Sequence, residues 1–276
     1  MPIKGLNNTG NTCFLNSGTQ MLLQNRDFCD LISRTTNGSN DDMNNLNNFI
    51  KNYHNPNDTS SLTPSIMKDI VTTRNEIFSG NDQHDAQEFL INFIEQVNGY
   101  TNDLLDNLFK IETTTKNKCK LRICLNVTFN KDTNNFLILP IKKDFNDLDD
   151  CYRGFKPHEK LVDDNMYHCP KCNEKRQGSR RLDVTVWPKH LIIFLKRFDN
   201  NQRKIEKTID IPHNWRHGYI LKGAIIHTGS CGGGHYRYIN VESLKMCDDS
   251  SISNIDASHA QYTINKNGYI LYYVKK

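Results

Sequence analysis

Cys13 sits where a cysteine could act as a nucleophile. It follows the polar turn-rich run Asn7-Asn8-Thr9-Gly10-Asn11-Thr12 and opens a proline-free segment, FLNSGTQMLLQNRDFCDLI, that carries Leu15, Leu22, Leu23 and Leu31 at helical spacings. A thiol in the first turn of a helix faces unpaired backbone N–H groups and the positive end of the helix dipole, which favours the thiolate. Backbone N–H groups and an Asn amide in the same loop would hold an oxyanion formed by its attack on a carbonyl. A single cysteine is more often a small buried hydrophobe; the loop before Cys13 is what favours chemistry. A nucleophilic cysteine needs a base. Among ten histidines, His235 follows Ser230-Cys231-Gly232-Gly233-Gly234 and begins the strand-like run HYRYINV. Three consecutive glycines are costly to order and serve where the backbone flexes or another chain passes close by. The base in turn needs an acceptor on its other ring nitrogen. Asp248 and Asp249 follow within one hairpin return, and adjacent residues of an extended segment face opposite ways, so one of the two can meet His235.

A second group of residues suits a metal. Cys169-Pro170-Lys171-Cys172 places two sulfurs at i and i+3 in a tight turn, a knuckle that points both at one ion. No helical pattern follows it, which argues against a redox pair. Two more ligands are needed. Cys119 and Cys124 lie in a hairpin-like region upstream, and His168 and Cys151 are substitutes. Cys29, Cys231 and Cys247 have no partner spacing and read as structural or incidental.

The elements that would position these groups fall into two halves. The first is helical. Ala86, Phe89, Leu90, Phe93, Ile94 and Val97 follow i, i+3, i+4, i+7, i+8 and i+11, a single buried face. Thr63-Pro64 reads as a cap and first turn for a helix through Ile66 and Ile70. The Asn-rich stretch from Asn37 to Asn57 reads as loop, with a short helix on Met43, Leu46, Phe49, Ile50 and Tyr53. From about residue 119 the period becomes two: Leu121, Ile123, Leu125, Val127 and Phe129 alternate with other residues. FLILPI, LDVTVW, HLIIFL, YILKGAIIH, HYRYINV and YILYYV are all strand-like. Helices first and strands afterwards predict an α+β fold.

The chain has 276 residues, 37% apolar and 24% charged, enough for one large domain with a real core. No run approaches the roughly 18–20 apolar residues of a membrane span, and MPIKGLNNTG has no apolar signal region. With no secretion signal the nine cysteines read as reduced thiols. A net charge of +4, with bases scattered, is too mild to point to nucleic acid. The reading is therefore of a monomer that binds neither nucleic acid nor membrane and works in the cytoplasm and/or nucleus.

Five segments together resemble one family. Residues 5–17, GLNNTGNTCFLNS, are similar to the Cys box of the ubiquitin-specific proteases, and Gly234-His235-Tyr236 to their His box. Gln83-His84-Asp85-Ala86-Gln87-Glu88-Phe89 resembles the acidic motif facing the ubiquitin tail. The runs PKHLIIFLKRF, from Pro188 to Phe198, and GYILYY, from Gly268 to Tyr273, resemble a strand through the palm and the closing strand. The order and spacing agree over residues 5 to 274. Three positions depart from the pattern: Cys247 stands for an aromatic, His84 for Gln, and Arg237 for a smaller residue.

The resemblance implies a papain-like cysteine protease with a helical thumb, an antiparallel β palm and β fingers with a zinc ribbon. Residues 1–276 would form a single catalytic domain: thumb about 1–110, fingers about 111–185, palm about 186–276. The implied reaction is hydrolysis of the isopeptide or peptide bond after the C-terminal glycine of ubiquitin. Cys13 would be nucleophile, His235 general base, Asp248 the orienting acid through Nδ1–H of His235, and Asn8 the oxyanion donor. Asp85, Gln83 and Tyr236 would bind substrate. Cys119, Cys124, Cys169 and Cys172 would hold a structural Zn2+, with Cys-x4-Cys replacing the usual Cys-x2-Cys in the first pair. The partners implied are ubiquitin and ubiquitinated proteins. The competing readings are an inactive ubiquitin-binding module, a protease for another modifier or a general papain-like peptidase, and a zinc-dependent nucleic-acid binder.

Overall fold

The computed structural model describes residues 3–36, 40–156, 158–230 and 232–276. Helices α1 (Cys13–Leu23), α2 (Arg26–Thr35), α3 (Asp41–Tyr53), α4 (Ser65–Arg74), α5 (Ala86–Tyr100) and the single turn α6 (Asp106–Phe109) precede the first strand. The proline-free run after Cys13 is two helices rather than one. Asn25 leaves the helical region and its side chain accepts the N–H of Phe28 at 3.1 Å, so it caps α2 and breaks the run. Pro64 occupies the position before α4, one residue earlier than its first turn, while Thr63 Oγ1 accepts from the Asn7 amide instead of capping. In α5 all six residues of the apolar stripe are fully buried, each contributing roughly 1–3 kcal/mol of burial. Gly18 in α1 lies against this stripe; a Cβ there would meet the Phe89 ring at 2.7 Å, so glycine sets how closely α1 and α5 approach.

Strands follow: β1 (Ile111–Cys119), β2 (Val127–Asn134) and β3 (Leu137–Pro140), then helix α7 (Leu148–Phe155), then β4 (His158–Leu161), β5 (Tyr167–Cys169), β6 (Glu174–Arg176) and β7 (Gly178–Val186). The alternating run from Leu121 to Phe129 is not one strand. Lys120 to Asn126 curl into a turn, with Leu125 at φ 45°, and pairing resumes at Val127. The turn is what brings Cys124 back to Cys119. β2, β1, β7 and β4 form a four-stranded antiparallel sheet in that order.

The last third supplies β8 (His190–Lys196), β9 (Asn214–Trp215), β10 (Tyr219–Ser230), β11 (Gly233–Asn240), β12 (Lys245–Asp248), β13 (Ser251–Asn254), helix α8 (Ala257–Asn267) and β14 (Gly268–Lys275). The large sheet runs β13-β12-β11-β10-β14-β8-β3, with β9 on β10. It is antiparallel except for β3, which joins the edge parallel to β8. Both faces are covered. Ile192, Phe194, Ile270, Tyr272 and Tyr238 pack towards the helices of the first half. Their neighbours Leu191, Ile193, Leu195, Leu271 and Tyr273 pack on the other face with Leu148 and Cys151 of α7 and Ile264 of α8. Burial on both faces explains why HLIIFL reads as continuous apolar sequence.

Arg197, directly after β8, is fully buried. Its guanidinium donates to the carbonyls of Gly268 (2.6 Å), Lys207 (2.8 Å), Ile205 and Asn265 (3.3 Å each), tying the loop after β8 to the end of α8. Arg197→Leu would strand these buried acceptors and should cost on the order of 3 kcal/mol in urea unfolding. A loss below about 1 kcal/mol would mean that water replaces the guanidinium.

Candidate active site

Cys13 is the first residue of α1, and it is buried. The loop before it is held by one side chain: Asn8 Oδ1 accepts from the N–H of Gly10 (3.1 Å), the N–H of Thr12 (3.1 Å) and the Thr12 hydroxyl (3.2 Å). Gly10, at φ 114°, needs to be glycine. Across from α1 lies β11. The backbone N–H of Tyr236, the residue after His235, favours the Cys13 thiolate. His235 Nε2 lies 2.6 Å from Asp248 Oδ1. A carboxylate only accepts, so Nε2 carries the proton and Nδ1 is the nitrogen left for the thiol. This reverses the ring orientation expected from the sequence, in which Nδ1–H met Asp248.

Asp249 takes a separate role. Its carboxylate accepts from the Asn8 amide at 2.8 Å and the Asn16 amide at 2.7 Å, and its carbonyl accepts the N–H of Leu6 at 2.8 Å. Asn8, expected to face an oxyanion, therefore has its amide engaged in this structure. The expected lowering of the thiol is also reversed. Burial raises the Cys13 pKa, and the Asp249 carboxylate adds to this; the N–H groups of Tyr236, Phe14 and Cys13 itself pull the other way without prevailing.

Cys13 opens into a cleft of about 350 Å³ whose other walls include Gln83, His84, Asp85, Gly234, Tyr236 and Tyr269. Asp85 caps α5, accepting the N–H of Gln87 at 2.6 Å, and its second oxygen accepts from the hydroxyls of Tyr269 (2.6 Å) and Tyr236 (3.3 Å). Gln83 Oε1 accepts the N–H of Gly234 at 3.4 Å, linking the start of α5 to the strand that carries His235. Cys13, Gln83, Asp85 and Tyr236 thus share one cleft, and His235 follows the wall residue Gly234 directly. Sequence reading missed two members. His227 on β10 also lines the cleft, and a Cβ on Gly234 would fall 2.0 Å from its Nε2. Burial, then Lys204 and His235, push His227 down to about 4, too weak a base to hold a proton at neutral pH. Asn16 was the other. For Asn16 the signal was present, since it shares the segment of residues 5–17 with Cys13; His227 lies only in the strand-like run YILKGAIIH, which gives no hint of the cleft.

The four cysteines Cys119, Cys124, Cys169 and Cys172 have sulfurs within 4.8 Å of one another, with Cys124 and Cys169 at 3.7 Å. A tetrahedron of Zn–S bonds of ~2.3 Å separates sulfurs by about 3.8 Å, so the donor set and spacing fit one such ion. The substitutes are elsewhere: Cys151 is buried in α7, and exposed His168 is not in the cluster. Cys29 and Cys247 are buried; Cys231 lies outside the described residues.

Comparison with known proteins decides the lineage. The family model described as ubiquitin carboxyl-terminal hydrolase matches residues 4–273. The chain belongs to that family. It is 27% identical to ubiquitin carboxyl-terminal hydrolase Usp2 of Drosophila melanogaster, over 98% of this chain and 34% of that protein. It is 34% identical to ubiquitin carboxyl-terminal hydrolase 5 of Arabidopsis thaliana, over 46% of this chain and 16% of that protein. The chain thus spans about a third or less of these relatives. Its fold matches the SAGA Ubp8/Sgf11/Sus1/Sgf73 DUB module bound to ubiquitin aldehyde, with TM-score 0.81 and 23% identity over 99% of this chain and 70% of that one. The module bound to monoubiquitin gives TM-score 0.83. The α+β fold is that of the family. No helix among the described residues is long and apolar enough to cross a membrane.

The raised thiol makes a direct prediction. Alkylation of Cys13 by iodoacetamide in the free chain should rise with pH through an inflection above the ordinary thiol value of ~8.5. Asp249→Asn removes one cause of the raising and should move the inflection to lower pH. Mass spectrometry of the modified peptide across pH checks both, and an inflection below pH 7 in the parent chain would contradict the burial argument.

Proposed function

We propose that the chain is a deubiquitinating thiol protease that hydrolyses the isopeptide or peptide bond after the C-terminal glycine of ubiquitin. The observation that carries the reading is the sharing of one cleft by Cys13, at the start of α1, and the strand bearing His235, which pairs with Asp248 of β12, within a family of ubiquitin carboxyl-terminal hydrolases. Cys13 Sγ attacks the glycine carbonyl as His235 Nδ1 takes the thiol proton, and Asp248 stabilises the imidazolium through Nε2–H. The oxyanion is held by backbone N–H groups at the start of α1 and by the Asn8 amide once it turns from Asp249. His235 then returns the proton to the departing amine. Water, deprotonated by His235, hydrolyses the thioester and restores Cys13.

Asp85, Gln83 and Tyr236 serve the substrate tail. The 3.3 Å bond from Tyr236 to Asp85 is the weaker of its two tyrosine contacts, so it is the one that a backbone N–H of an extended peptide displaces. The helical thumb spans about 1–110, the fingers about 111–185 and the palm about 186–276, except that β3 and α7 pack with the palm sheet. The four cysteines hold Zn2+ as a closed structural site that fixes the fingertip and leaves no position for water. Ubiquitin and ubiquitinated proteins are the partners, and the compartment is cytoplasmic and/or nuclear.

Cys13→Ala should abolish both ubiquitin cleavage and labelling by ubiquitin bearing a C-terminal electrophile, while ubiquitin still binds in titration calorimetry. Labelling of another cysteine in that variant would refute the assignment, and a probe built on a different modifier that reacts faster would redirect the substrate. Metal analysis of freshly purified, reduced protein should give about one zinc per chain. Removing it with a chelator should loosen β5 and β6 in hydrogen exchange and weaken ubiquitin binding while iodoacetamide still reaches Cys13; finding no zinc would leave the cluster a vacant relic.

A further inference from the structure

The whole-chain charge of +4 conceals a partition. Eleven of the 35 Lys and Arg lie in residues 116–131 and 158–181, the distal half of the fingers, against four acids, Glu159, Asp163, Asp164 and Glu174. That leaves 24 basic and 27 acidic residues elsewhere. A divalent ion on four thiolates removes two charges from the tip and still leaves it positive. Among the described residues, Lys116, Lys118, Lys120, Arg122, Lys171 and Lys175 have no acidic partner within ion-pair distance.

Strand register sorts these residues by face. Directly paired residues share a side of the sheet. Phe129 pairs with Lys116, Lys116 with Arg181, and Arg181 with His158. The four make one row across β2, β1, β7 and β4, and all four are exposed. The next row pairs Val127, Lys118, Ser179 and Lys160. Phe129 is 62% exposed, an unusual state for a phenylalanine in a strand, and the Lys116 ammonium lies 5.8 Å from its ring centre. Arg181 is held by Asp183 at 2.8 Å, and Lys131, two residues beyond Phe129, by Glu112 at 3.6 Å. The opposite side of the same sheet, through Thr113, Thr115 and Leu182, lines the concavity of about 510 Å³ shared with α5. The basic rows therefore face away from that concavity.

We propose that this outer face of the fingers binds single-stranded nucleic acid. A flat, open sheet with an exposed aromatic ring amid cations stacks a base and pairs the flanking phosphates. Four strands spaced ~4.8 Å apart give a row about 14 Å wide, room for two or three nucleotides. The open ring selects an unpaired base over an acidic peptide. The average charge pointed away from nucleic acid because the acidic remainder of the chain offsets the tip.

The test is fluorescence anisotropy of the full, zinc-loaded chain with fluorescein-labelled oligothymidylate and oligouridylate of twelve nucleotides. Binding is expected at 50 mM salt, with log K falling against log salt at a slope of about −2 to −3 for three or four phosphates. Phe129→Ala should weaken binding roughly 5- to 150-fold at unchanged slope. Lys116→Ala should reduce the slope by about 0.7. Both side chains are exposed, and both variants should react with the ubiquitin electrophile as the parent does. The absence of binding at 50 mM salt overturns the proposal. So does tighter binding of a duplex of the same length. A polyglutamate peptide of equal length that binds as well as the oligonucleotides, indifferent to Phe129→Ala, overturns it in favour of an acidic protein segment.

Discussion

The carboxylate of Asp249 accepts from Asn8 and Asn16, one on each side of Cys13 in sequence, while the residue before it accepts from His235. One turn of the sheet thus fixes the loop before Cys13, the helix that Cys13 opens and His235. The backbone agrees with the side chains. Leu6 N–H reaches the Asp249 carbonyl, and a Cβ on Gly5 would fall 2.1 Å from the Ser250 carbonyl oxygen, so no larger residue lets the two segments meet. Asp249 itself sits at φ 49°, a region that Asp and Asn tolerate better than most residues. Aspartate is thus suited to this corner twice over. The helical and sheet halves bury a common core, but core contacts alone would allow sliding by an ångström. These directional bonds set the register that chemistry needs.

The parts legible in the sequence are those governed by local periodicity. The α5 stripe, the strands of the large sheet and the helix within the Asn-rich stretch follow from spacing alone. The site residues were legible through short motifs, each a chain segment whose function needs neighbours in order. What stayed hidden depended on partners distant in sequence. Nothing local says that Asn25 will break the helix after Leu23 in favour of its own cap. Nor can alternation at Leu121 to Phe129 reveal a turn, since the turn exists to close a four-sulfur cluster whose other half lies at Cys169 and Cys172. The histidine ring orientation is likewise set by where β12 delivers Asp248. The parallel edge strand β3 follows from a crossover through the fingers that periodicity does not encode.

The cleft is built by substitution of small for large. Gly234 is required because the His227 ring occupies the place of any side chain there. His227 in turn is wedged against Tyr236, Tyr269 and Phe198, so β10, β11 and β14 present one aromatic wall. Asp85 enters that wall from α5 and takes both tyrosine hydroxyls. The wall is therefore anchored to the helical half by a charged group at a helix start, where the dipole also favours the carboxylate. A narrow slot with a glycine on one side and an acceptor on the other suits an extended chain without bulky side chains.

Two demands on Cys13 conflict, and the geometry resolves the conflict in one direction. The helix start and the N–H of Tyr236 favour a thiolate, whereas burial and the carboxylate of Asp249 disfavour it. Moving Asp249 away would relieve the thiol but would release Asn8 and Asn16. Burial, with the carboxylate that assembles the site, thus favours the neutral form of the Cys13 thiol. In the proposed reaction a thiol in that state has to lose its proton as the bond forms, which calls for a correctly oriented base. His235, with Nε2–H fixed on Asp248, presents Nδ1 free to accept. The arrangement also protects the sulfur, since oxidants and alkylating agents react with thiolates, and a buried neutral thiol offers them little until a substrate engages the cleft.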